Sequence, residues 1–185
     1  MYRNMLAGAL LLLLALALGG FAFAYSGAYD VSASSGHTSA GRWMLRTTMQ
    51  NSVRSRAADI PAPERFTSEA ILAGGSEYKA MCQQCHGGPG VARAEWTEGL
   101  VPLPPDLTKA AADWQANEIY WIVRHGIKMT AMPAFGGSHH EETLWNIAGF
   151  VEQLPAMTPE QYAALPDDHG EGVNASEPDH AEHSH

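Results

Sequence analysis

Two cysteines and a histidine stand together in the segment Cys82-Gln83-Gln84-Cys85-His86. These are the only two cysteines among the 185 residues. Two thiols three positions apart at a helix end can add to the two vinyl groups of one porphyrin, while the next residue presents an imidazole to the iron. The segment therefore predicts one covalently attached haem c, bound through both cysteines, with the histidine as the proximal iron ligand.

Other uses of a closely spaced cysteine pair fit the sequence less well. A thioredoxin-like dithiol also has two intervening residues, but it follows a strand in a βαβ context that this sequence does not show. A zinc site needs further ligands at matched spacing. A disulfide across two residues would close too small a loop to stabilise the fold much.

The distal ligand of the iron is expected in the later segment GIKMTAMPAFGG, residues 126–137. A methionine thioether stabilises ferrous over ferric iron and raises the reduction potential. We expect Met132 to be this ligand, because Pro133 has a fixed φ and no N–H and so holds the backbone extended beside it. The ordinary role of a methionine is to fill a core. The alternative ligands are Met129, His139 and His140.

Helices must position these side chains, and hydrophobic periodicity shows where they lie. Apolar residues at helical spacing predict three helices, over residues 67–81, 114–125 and 141–154. The first leads directly into the cysteine motif, while Gly126 and Pro155 stand where the other two should end. Residues 87–105 and 126–137 lack periodicity and predict loops. We therefore expect a small all-α fold, with three to four helices around one haem.

The order of these segments resembles a class I cytochrome c domain over about residues 67–154. The resemblance rests on Gly74-Gly75 and Tyr78 before CQQCHGG, on Pro104-Pro105-Asp106-Leu107, on GIKMTAMPAFGG, and on a helix from Leu144-Trp145 to Phe150. It implies that the Pro105 carbonyl accepts the second N–H of His86 and fixes the tautomer of that imidazole. It also implies that the first and last helices cross, with contacts from Gly75, Tyr78, Trp145 and Gly149.

The N-terminal segment predicts export. Arg3 precedes a long apolar run, and residues 22–24 have the small-x-small form of a signal peptidase site. Extended to Tyr25, the run reaches about 20 residues, which is enough to span the hydrocarbon core of a membrane. We expect residues 1–24 to be an uncleaved anchor, with cleavage after Ala24 as the alternative. Both place the rest of the chain on the periplasmic side of a bacterial inner membrane.

Residues 25–66 are expected to form a linker with a short amphipathic helix. Arginines interleave with apolar residues at near-helical spacing over residues 42–56, and Pro61 then ends any helix. This helix either lies on anionic lipid or a partner subunit, or packs on its own domain. The region resembles the leader of membrane-tethered bacterial monohaem cytochromes.

Residues 67–155 are expected to be the cytochrome domain, and residues 156–185 a disordered tail. From Thr158 onward there are seven acidic residues, no Lys or Arg, and no apolar periodicity after Leu165. Histidine-rich tracts can bind copper or zinc weakly. The irregular spacing in this tract argues against a defined metal site at His169, His180, His183 or His185.

Charge excludes one class of partner. The formal net charge is −9, and residues 67–155 hold ten acidic side chains against five basic ones. Phosphate binding needs clustered Lys and Arg, so no nucleic acid partner is expected. Two protein ligands on one iron leave no open coordination position, so we expect an electron carrier and not an enzyme, with no small-molecule substrate.

The function expected from the sequence is the transfer of single electrons between respiratory or other redox proteins by a periplasmic monohaem cytochrome. One alternative is a haem-bearing subunit of a larger membrane oxidoreductase. Another is a peroxidase or a gas-sensing cytochrome, which would require an axial position open to its ligand.

Overall fold

The computed structural model describes residues 2–167, and over that range the chain is helical, without strands. The prediction of an all-α fold is confirmed. The chain divides into two compact units, residues 1–37 and the residues from 38 onward. The histidines of the predicted tail, from His169 to His185, lie outside the described residues.

The first unit contains one long helix, α1 (Tyr2–Tyr25), in which no residue is buried. Its most apolar 18-residue window has a mean hydropathy of 2.4. The helix is thus long and apolar enough to cross a membrane, and a signal sequence near an N-terminus shares both properties. It ends at a turn in which Gly27 has a φ of 67°.

Over the described residues, the second unit consists of seven α-helices joined by loops and short turns. They are α2 (Ser39–Ala57), α3 (Ser68–Glu77), α4 (Gln83–His86), α5 (Leu107–Ala110), α6 (Ala116–His125), α7 (Glu141–Gln153) and α8 (Pro159–Ala163). A π-helical turn, Tyr78–Cys82, joins α3 to α4. The three helices predicted from periodicity correspond to α3 with its π turn, to α6 and to α7.

Local chemistry explains where these helices begin and end. The side chain of Thr67 accepts a hydrogen bond from the Ala70 N–H and so caps the start of α3. Helix α6 ends at Gly126, whose φ of 63° lies in the left-handed region that favours glycine. Helix α8 opens with a capping box in which Thr158 and Gln161 bond to each other's backbone N–H.

Helices α3 and α7 cross at Gly74, where their backbones touch. A Cβ at this position would lie 2.0 Å from the carbonyl oxygen of Asn146, so glycine is required for the close approach. Gly75 faces the ring of Phe150, and Tyr78 packs on the same ring with centroids 5.3 Å apart. The contact orients α3 and, with it, the helical path that continues into α4.

Two residues expected at this crossing make their close contacts elsewhere. Trp145 stacks on Tyr120 of α6, with ring centroids 4.0 Å apart and planes inclined by 11°. Gly149 faces the ring of Phe66, which precedes α3. These contacts attach α6 and the segment before α3 to α7, so α7 is the element on which the core is assembled.

Helix α2 packs on α6 through its second half. Val53 and Ala57 are buried, and the side-chain amide of Asn117 donates to the Ala57 carbonyl at 2.8 Å. Arg54 pairs with the largely buried carboxylate of Glu118 at 3.7 Å. Packing on its own domain, one of the two expectations, therefore describes this half. The first half exposes three large apolar side chains, Trp43, Met44 and Leu45.

Residues 156–167 also pack on the second unit, beyond the predicted domain boundary at residue 155. Tyr162 is 1% exposed and Leu165 is 8% exposed. Helix α8 is only five residues long, which is too short for its apolar side chains to show a helical period. The packed part of the chain therefore extends to about residue 167.

Gly74→Ala should destabilise the second unit, because the added methyl group would overlap the backbone of α7 and force the two helices apart. We expect the free energy of unfolding of the full-length protein to fall by about 1–3 kcal/mol, measured by denaturant titration with circular dichroism. Gly99→Ala is the matched control, since a Cβ there meets nothing within 4 Å. Equal stability of the two variants would refute the close crossing.

Candidate haem site

Cys82, Cys85 and His86 lie on the helical path that continues α3. The π turn ends at Cys82, and α4 carries the other two to the helix end, which Gly87 marks with a φ of 69°. The two cysteines are not bonded to each other. Residues three positions apart lie on the same side of a helix, so both thiols can face one planar group.

The π turn is a feature that periodicity does not reveal. The Gln83 N–H donates to the carbonyl of Tyr78, five residues earlier. Such turns are rare and are found frequently at functional sites. The buried hydroxyl of Tyr78 donates to the Gly87 carbonyl at 2.8 Å, so one residue holds both ends of the attachment segment.

The two thiols differ in their surroundings. Cys82 is buried and Cys85 is half-buried. Burial raises the pKa of the Cys82 thiol to about 12, and the neighbouring Cys85 thiol acts in the same direction. This burial favours the neutral thiol over the thiolate at Cys82.

His86 contacts the carbonyl that the resemblance implied. Its Nδ1 lies 2.8 Å from the carbonyl oxygen of Pro105. A carbonyl only accepts, so Nδ1 carries the hydrogen in this contact and Nε2 is the nitrogen left to bind a metal. Burial lowers the pKa of His86 despite the bond to Pro105, and the charge of Arg93 also lowers it. A lowered pKa favours the neutral imidazole, which is the form that binds a metal ion.

Arg93 holds the loop next to Pro105 in place, and sequence reasoning missed it. Its Nη1 donates to the carbonyl of Pro104 at 2.5 Å, and its Nε lies 3.5 Å from the carboxylate of Glu98. No sequence pattern indicates this role, because a single arginine in an irregular loop belongs to no periodic face.

Met132 lies in the loop between α6 and α7 with both of its backbone polar groups bonded. Its N–H donates to Thr130 Oγ1 at 3.1 Å, and its carbonyl accepts from the Ile127 N–H at 3.2 Å. Met129 is 85% exposed and has a φ of 62°, which is uncommon outside glycine. The exposure of Met129 favours Met132 as the candidate ligand.

The two alternative histidine ligands lie just before the start of α7. His139 Nδ1 lies 2.9 Å from the hydroxyl oxygen of Ser138, and its ring meets the Phe135 ring edge-on with centroids 5.5 Å apart. His140 is exposed and occupies the position before the first residue of α7. His139 is thus engaged in packing within its own loop.

Tyr162 of α8 reaches the cysteine motif itself. Its hydroxyl donates to Gln83 Oε1 at 2.7 Å, and its ring lies so close to Gly88 that a Cβ there would be 2.5 Å away. Lys79 lies over the same ring, 5.6 Å from its centroid, and donates to the Leu165 carbonyl at 2.7 Å. The capping-box pattern that opens α8 is the sequence signal that could have revealed this segment.

The donor set fits a covalently attached haem. Within residues 2–167, no group of three or more His, Cys, Asp and Glu side chains is placed to hold a metal ion. Two unpaired thiols and an imidazole with Nε2 available match the two attachment points of a haem and one ligand of its iron. A protein-only site for a metal such as zinc would need more ligands.

Comparison with known proteins agrees with this chemistry. Residues 69–151, from α3 into α7, match the family model described as cytochrome c oxidase, cbb3-type, subunit III. The chain contains a c-type cytochrome domain. Such a domain implies a covalently bound haem c that transfers electrons. Tyr162 and α8 lie beyond the part of the cytochrome domain that the family model matches. No curated protein and no solved structure matches the chain.

Tyr162→Phe should weaken the attachment of α8 to the cytochrome domain through the loss of one hydrogen bond, at a cost of about 0.5–1.5 kcal/mol in the free energy of unfolding. Tyr162→Ala also empties the space of a buried ring and should cost about 3–5 kcal/mol. Denaturant unfolding of the purified protein measures both. A Tyr162→Ala variant as stable as the wild type would contradict the packing of α8.

Proposed function

We propose that the cytochrome domain carries one haem c, attached through Cys82 and Cys85, with His86 and Met132 as the axial ligands of the iron. In this proposal the protein passes single electrons between redox proteins on the periplasmic side of a bacterial inner membrane. The observation that carries it is the 2.8 Å contact between His86 Nδ1 and the Pro105 carbonyl, beside a single attachment motif.

Each residue of the site has a separate role in this account. When bound, haem supplies an iron that gains and loses one electron. His86 and Met132 would both bind the iron, which would leave no coordination position for a substrate. The thioether of Met132 would favour the ferrous state and raise the potential. Pro105 fixes the tautomer of His86 and keeps its imidazole electron-rich.

The charge of the domain supports a protein partner of opposite sign. Residues 67–155 contain ten acidic and five basic side chains. An acidic domain is steered towards a basic surface, and salt screens that attraction. The partner surface is therefore expected to be rich in Lys and Arg.

Helix α1 supports a location at the membrane. Its 24 residues are apolar enough to span a bilayer, and Arg3 at its start favours an N-terminus that stays inside. An uncleaved α1 would keep the protein membrane-bound with the cytochrome domain outside the cytoplasm. Cleavage after Ala24 would release a soluble periplasmic protein instead.

A fixed subunit of an oxidoreductase is the second candidate function. The matched family is described as a subunit of a cbb3-type oxidase, which favours it. The exposed side chains Trp43, Met44 and Leu45 at the start of α2 would then form the docking element. Purification from solubilised membranes distinguishes the two, because a subunit copurifies in fixed stoichiometry with its complex and a mobile carrier does not.

The purified protein should contain one covalently bound haem per chain. Acid–acetone extraction should leave the colour with the polypeptide, and a pyridine haemochrome assay should count one haem. Cys82→Ala and Cys85→Ala should each lower the covalent haem content severely, because each removes one attachment point, whereas Met129→Leu should retain it. A count of two haems, or of none, would contradict the proposal.

A carrier with a filled coordination sphere should be inert towards small ligands. We expect the reduced protein to bind carbon monoxide poorly and the oxidised protein to show negligible peroxidase turnover, while Met132→Ala should bind carbon monoxide readily. Rapid carbon monoxide binding and substantial peroxidase turnover by the native protein would instead indicate a peroxidase or a gas sensor.

Electron exchange with solubilised membranes should slow as salt concentration rises.

A further inference from the structure

The backbone of Met132 is tied to Ile127 at two points. The first is direct, since the Ile127 N–H donates to the Met132 carbonyl at 3.2 Å. The second passes through Thr130, whose Oγ1 accepts from the Met132 N–H at 3.1 Å and donates to the Ile127 carbonyl at 2.7 Å. A single hydroxyl thus links the peptide groups on the two sides of a tight loop.

The rest of this loop is held by contacts of a different kind. On its far side, the Phe135 N–H donates to the Val123 carbonyl at 3.1 Å and the Gly136 N–H donates to the Arg124 carbonyl at 3.0 Å. At the start of the loop, a Cβ at Gly126 would lie 2.7 Å from the Met132 carbonyl oxygen. The backbone at Gly126 and the backbone at Met132 are therefore in close contact. Between these backbone anchors, Thr130 provides a side-chain link to Met132.

The same link offsets an unfavourable backbone conformation. Met129 has a φ of 62°, which an L-residue other than glycine adopts at a cost. Thr130 follows it directly, and both its N–H and its hydroxyl bond to the Ile127 carbonyl, at 3.3 and 2.7 Å. These bonds hold the turn closed around the strained residue, and Met132 leaves the turn in a fixed direction.

We propose that Thr130 is a positioning residue whose hydroxyl holds Met132 in the conformation that binds the haem iron. The inference rests on the proposed function, in which Met132 is the distal ligand. The role belongs to the hydroxyl and not to the bulk of the side chain. We therefore expect that, without the hydroxyl, a competing ligand displaces Met132 from the iron more easily, while the fold stays intact.

Titration of the oxidised holoprotein with imidazole tests the proposal, because imidazole competes with Met132 for the iron and abolishes the near-infrared iron–sulfur band. Thr130→Val removes the hydroxyl and keeps the shape of the side chain. It should lower the imidazole concentration for half displacement about fivefold to tenfold, as expected for the loss of the hydrogen bond between the hydroxyl and the Met132 N–H. The Ile127 carbonyl loses its bond from the hydroxyl but keeps the bond from the Thr130 N–H. Thr130→Ser keeps the hydroxyl and should titrate like the wild type.

Thr67→Val is the matched control, because it removes the threonine hydroxyl that caps α3, outside the Met132 loop. It should leave the imidazole midpoint unchanged. If Thr130→Val also leaves that midpoint unchanged in a protein whose wild type shows the iron–sulfur band, the role of Thr130 is overturned and ligation by Met132 stands. A wild type without the band overturns ligation by Met132 and the role of Thr130 together.

Discussion

Helices α3 and α7 meet backbone to backbone at Gly74, and the geometry of the haem site follows from that contact. Helices that touch through their backbones cannot slide or rotate without overlap, so the direction of α3 is fixed against α7. The π turn and α4 continue that direction and carry the cysteine motif. Helix α7 also packs on α6, and the loop that holds Met132 connects these two helices.

Two backbone carbonyls accept hydrogen bonds beside the proposed iron ligands, one next to His86 and one in the loop of Met132. The Pro105 carbonyl contacts His86, and the Ile127 carbonyl accepts from Thr130 in the Met132 loop. A carbonyl cannot be removed by substituting a side chain. Substitution can therefore alter these contacts only through the side chains that hold the two loops in place. Arg93 has this role beside Pro105, and we propose the corresponding role for Thr130 beside Met132.

The sequence predicts the features that depend on covalent chemistry and on local periodicity. CQQCH identified the c-type cytochrome domain, and apolar spacing located α3, α6 and α7. Contacts between residues far apart in the chain were not predictable in this way. Tyr162 and Gln83 are 79 positions apart, and the five-residue α8 is too short to show a period. The closest approach of the helices, at Gly74, likewise depends on which side of α3 meets α7.

We propose that Met132, together with His86, binds the haem iron, and the near-infrared spectrum of the oxidised protein shows whether this methionine is the ligand. A methionine ligand produces a weak iron–sulfur charge-transfer band. We expect this band in the wild type and in Met129→Leu, and its absence from Met132→Leu. A band that survives in Met132→Leu and disappears in Met129→Leu would contradict it.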